Sequence, residues 1–64
     1  MDGRIQATIV KILQRDLGHA KDAVTRAVLQ QKRMPFDHDN NNALEKYLLW
    51  QVETEAALAW VQMQ

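Results

Sequence analysis

The chain has 64 residues, eight basic and eight acidic side chains, no cysteine and a balanced formal charge. That length makes one small domain with a thin core, and the lack of cysteine excludes disulfide staples and thiolate metal sites. The charge is unevenly laid out: residues 1–33 hold seven Lys or Arg against three Asp, and residues 34–64 hold one Lys against five Asp or Glu. The halves carry +4 and −4, so they attract each other or complementary partners.

The first element is a helix from about residue 4 to 33. Ile5, Ile9, Ile12, Leu13, Leu17, Ala20, Val24, Ala27 and Val28 recur at steps of three and four, which makes one broad apolar face. Arg4, Lys11, Arg15, Asp22, Arg26 and Arg33 form the opposite ridge. Asp2 is placed to cap the start, and Lys32 and Arg33 sit where a helix C-terminus favours cations. Gly18 lowers helix propensity by about 1 kcal/mol relative to Ala. The apolar phase is the same on either side of it, so the helix is expected to run through.

Pro35 ends this helix and moves Met34 out of helical geometry. The connector is expected over about 34–41, with Asn40, Asn41 and Asn42 as turn and cap residues. Asn42 followed by Glu45 resembles a capping box, which starts the second helix at about residue 43 and carries it to 63. Asp37, His38 and Asp39 are the only local cluster of metal-capable side chains. As a calcium loop they fail, because Asn42 takes the glycine position and Leu48 the bidentate glutamate position. They read as a hydrated turn, and neither metal nor cofactor is expected.

The second helix is apolar on two sides. Leu48, Leu49, Val52, Ala56, Ala59, Trp60 and Met63 share one face, and Tyr47, Trp50, Ala57, Leu58 and Val61 share the other. The first helix has one apolar face and cannot cover both. The expected fold is therefore all-α, a two-helix antiparallel hairpin completed by a partner or by dimerisation. The smoother seam is Leu48, Val52, Ala56 and Ala59, which is assigned to the intrachain core with Ile9, Leu13, Leu17, Ala20 and Val24. That assignment leaves Tyr47, Trp50, Ala57, Leu58 and Val61 to bind the partner. At 1.5 Å per residue the helices would span about 45 and about 30 Å. The first would then overhang, with Ile5 and Ile9 uncovered.

Chemistry offers little. Ser and Cys are absent, and Thr8, Thr25 and Thr54 have no base placed beside them, so no enzyme is expected. The basic ridge carries no aromatic side chain for base stacking, so nucleic acid is not an expected partner. No stretch approaches the roughly 20 apolar residues of a membrane span, and a cytoplasmic location is expected.

Tyr47, Trp50, Gln51 and Glu53, followed by Ala56, Ala57 and Leu58 and preceded by the amphipathic stretch Ile9 to Val28, carry a resemblance. The chain resembles the small helical-hairpin co-chaperones of bacterial type III secretion systems. That resemblance implies pairing with a tetratricopeptide-like chaperone, a larger helical-repeat protein, so that a needle subunit stays soluble. Pro35 and the asparagine run depart from the tight turn expected of that family. The competing expectation is a self-associating regulatory or structural protein, two copies of which form a four-helix-bundle homodimer.

Overall fold

A computed structural model describes residues 2–64 and shows two long helices, α1 (Gly3–Arg33) and α2 (His38–Gln62), joined by a tight turn. They form an antiparallel hairpin 48 Å long and 14 by 13 Å in section. Hydrogen bonds spread along the contact fix the register. Gln6 Nε2 donates to the Val61 carbonyl (2.8 Å), Trp50 Nε1 to Asp16 Oδ2 (2.7 Å), and Asn40 Nδ2 to the Ala27 carbonyl (2.9 Å). As the α1 partner advances along the chain, the α2 partner retreats.

The ends of α1 follow from local chemistry. Asp2 is the N-cap, its Oδ1 accepting the Arg4 N–H at 2.7 Å. Met34 leaves helical geometry ahead of Pro35, and its N–H closes the last turn on the Gln30 carbonyl at 2.8 Å. Gly18 lies within the continuous helix.

The start of α2 differs from the sequence expectation. The connector is residues 34–37, closed by the Asp37 N–H on the Met34 carbonyl at 3.1 Å, and the helix begins at His38. Asp37 is the N-cap, so the proposed capping box at Asn42 and Glu45 lies inside the helix. The asparagines tolerate helical geometry because two of them gain outside partners. Asn40 reaches across to Ala27, and Asn41 Nδ2 donates to the Pro35 carbonyl at 3.1 Å. Intrinsic preference favours a turn at these asparagines, and the hydrogen bonds to Ala27 and Pro35 outweigh it. The longer α2 also removes the expected overhang: Gln6 is level with Val61, and Ile9 is half-buried, although Ile5 stays exposed.

The core is narrow. Among the described residues its buried apolar members are Ala20 and Ala27 in the half nearer the turn and Leu58 and Val61 toward the open end, where Thr54 is also buried. Two helices meet along a single seam whose rims stay open to solvent, and among the described residues no large side chain is fully buried. Ile9, Leu13, Leu17 and Val24 are half-buried, as their place on the α1 contact face requires. Among the described residues no helix is long and apolar enough to cross a membrane.

Candidate protein-binding face

Two heptad-like seams run along α2. The inner seam is Asn40, Leu44, Tyr47, Gln51, Thr54, Leu58 and Val61, at steps of four and three. Its members are all buried or half-buried, and so are the neighbouring Ala43, Trp50 and Ala57. The outer seam is Glu45, Leu49, Val52, Ala56, Ala59 and Met63, at the same steps on the opposite side. All six are exposed. Both seams have the spacing that places residues in one line along a helix meeting another helix.

The structure thus reverses the assignment of faces. Tyr47, Trp50, Ala57, Leu58 and Val61, expected to bind a partner, lie on the side that packs against α1. Leu58 and Val61 are only 8% and 5% exposed. Leu48, Val52, Ala56 and Ala59, expected in the intrachain core, face away from α1. Val52 is 62% exposed, and Trp60 and Met63 beside that group are 57% and 77% exposed.

The physical reason is polar matching. Asp16 stands on the contact face of α1 between Leu13 and Ala20. A carboxylate half-buried there needs donors. The inner face of α2 supplies one: the Trp50 indole N–H at 2.7 Å, with the Thr54 hydroxyl oxygen 3.4 Å away. Thr54 directs its hydroxyl hydrogen to the Trp50 carbonyl at 2.8 Å. Turning α2 over would place Leu49, Val52 and Ala56 against Asp16, none of which has a side-chain donor. Asp16, Thr54 and the flanking Gln6 and Asn40 are the residues that apolar patterning missed. The signal for Asp16 was present, since it falls on the line of Ile9, Leu13, Ala20 and Ala27 at steps of three and four.

What remains is a continuous exposed apolar face on α2, lined by Leu48, Leu49, Val52, Trp60 and Met63 with Ala56 and Ala59 between them. Lone exposed apolar residues are ordinary on a protein surface, whereas a stripe over the C-terminal two-thirds of a helix is a candidate interaction site. The two alanines give it a shallow middle, into which a partner side chain can pack. A second apolar spot lies at the tip of the hairpin, where Phe36 is 86% exposed beside Met34 and Pro35.

The other singled-out residues have structural or solvent-facing places. Asp37 spends a carboxylate oxygen on the Asn40 N–H at 3.2 Å, which orders the turn. Among the described residues no three His, Asp or Glu side chains are grouped as metal ligands. His19 and the basic ridge of α1 are exposed. Comparison with known proteins gives no match to any protein family, curated protein or solved structure.

Proposed function

We propose that this chain is a non-catalytic binding hairpin of the co-chaperone type: it docks the outer face of α2 on a larger helical protein, and each covers apolar surface of the other. The observation that carries this reading is the exposed apolar stripe directly opposite the α1 contact. The hairpin is held by a narrow core, so a bound partner would add stability by mass action as well as solubility. The proposed setting is the cytoplasm, with a tetratricopeptide-like chaperone as the larger protein and a type III secretion needle subunit as its cargo. Of the residues that carry the resemblance, Tyr47, Trp50, Gln51, Ala57 and Leu58 belong to the inner face, and Glu53 and Ala56 are exposed. The inner ones bear on the likeness of fold, and the docking contact rests on the outer face.

The test is a pair of aspartate substitutions, one on each face. Trp60→Asp on the outer face is expected to abolish co-purification of a partner from the native cell while helicity by circular dichroism stays at the wild-type level. Leu58→Asp on the inner face is expected to lose helicity as well. A Trp60→Asp chain that keeps its partner refutes the assigned face.

A further inference from the structure

The rim of the outer face specifies its occupant. Along the seam of Glu45, Leu49, Val52, Ala56, Ala59 and Met63, the flanking positions are Leu48, Glu55 and Gln62 on one side and Lys46, Glu53 and Trp60 on the other. The seam and its flanks carry three acidic residues and a single lysine, and flanking charges set partner choice when helices pack side by side.

A second copy fits this rim poorly. In an antiparallel pair, the seam matches itself with Leu49 opposite Ala59 and Val52 opposite Ala56, a good match of large to small. The same register sets Glu53 against Glu53 and Glu55 against Glu55 on either side of the twofold axis, and like charges placed so are destabilising. A parallel pair sets Glu45 against Glu45 in the seam itself. The ridge of α1 from another copy is basic, but the line Arg4, Thr8, Lys11, Arg15, Gly18 and Asp22 offers no apolar stripe to bury.

Building on the docking reading above, we infer that the outer face of α2 takes an amphipathic helix of a different protein, one with an apolar stripe at steps of three and four flanked by Lys or Arg. Its cations would meet Glu45, Glu53 and Glu55, and large apolar side chains would fill the shallow line at Ala56 and Ala59. Attraction of this kind speeds encounter and suppresses wrong partners, including the chain itself.

The experiment uses the full chain and two synthetic helical peptides about three heptads long. Both have Leu and Ala on the seam; one carries Lys and Arg at the flanks, the other Glu. Fluorescence anisotropy of labelled peptide reads binding at low and high salt, and analytical ultracentrifugation reads self-association. The basic-flanked peptide is expected to bind at least about tenfold more tightly than its acidic twin at low salt, a gap that narrows with salt. The double variant E53K/E55K is expected to invert the preference. Equal binding of the two peptides, or an unchanged preference in E53K/E55K, overturns the charge inference and leaves the docking face standing. No binding of either peptide overturns the inference, while Trp60→Asp co-purification judges the docking reading separately. A tight, salt-insensitive homodimer that Val52→Asp dissociates overturns it in favour of a second copy.

Discussion

The two faces of α2 carry similar amounts of apolar side chain and have opposite fates. The inner face includes Tyr47, Trp50, Leu58 and Val61 and is packed on α1, while the outer face includes Leu49, Val52, Trp60 and Met63 and is exposed. Apolar content cannot be what separates them, and the polar residues are. The inner face brings Asn40 and Trp50 to positions where the Ala27 carbonyl and the Asp16 carboxylate await donors. The outer face brings Glu45 and no donor on its seam. In a helix with two apolar faces, hydrophobic burial favours contact with either, and the few hydrogen bonds that only one orientation can make decide which is used.

The largest effect should come from trimming equivalent aliphatic side chains on the two faces. Leu58→Ala removes most of a nearly buried side chain from a core with few large members and is expected to cost about 2–4 kcal/mol. A small hairpin has little stability in reserve, so much of the isolated chain should unfold at room temperature. Val52→Ala on the outer face is expected to lie within about 0.5 kcal/mol of wild type, because the side chain is already in water and Ala favours the helix. Urea unfolding followed by circular dichroism measures both. Equal losses at the two sites would mean that the faces have been exchanged or that the outer one is already covered by another copy.

A smaller effect isolates the polar match itself. Asp16→Ala and Trp50→Phe each remove one end of the 2.7 Å hydrogen bond. Each is expected to destabilise the hairpin by about 1–2 kcal/mol, near the range for hydrogen bonds to charged groups, reduced because both residues are only half-buried. The double variant should fall short of the sum by about 1 kcal/mol, the coupling between the two groups. Additive losses would show that the bond contributes nothing to the choice of face.

The same comparison explains how much could be read from the letters. Two helices, the break before Pro35, the cap at Asp2 and the surplus apolar face all follow from periodicity and local stereochemistry, which are properties of a chain segment alone. The start of α2 could not be read that way, since Asn40 and Asn41 enter the helix on bonds to Ala27 and Pro35, and the first of these exists only after folding. A smooth aliphatic seam points to Leu48, Val52, Ala56 and Ala59 as the contact face and leaves Tyr47 and Trp50 outside, but apolar pattern alone takes no account of Asp16. A carboxylate on an apolar face demands a donor opposite it, and the Trp50 indole N–H of α2 supplies one. Reading the polar interruptions of both helices together would have selected the inner face.

The smallest expected effect tests the face of α1 that has no counterpart to the outer stripe of α2. Gly18 lies in the middle of α1 on the exposed side, and a Cβ added there meets nothing within 4 Å. No described glycine has a positive φ, so alanine fits the existing backbone. Gly18→Ala should therefore stabilise the hairpin by up to about 1 kcal/mol, through better helix propensity and a less flexible unfolded chain. Urea unfolding reads the gain, and partner binding should be unchanged if docking is confined to α2. A loss of stability would show that α1 bends at Gly18 in solution. A gain in stability accompanied by weaker partner binding would mean that the partner also reaches the ridge of α1. Docking would then no longer belong to one face of one helix.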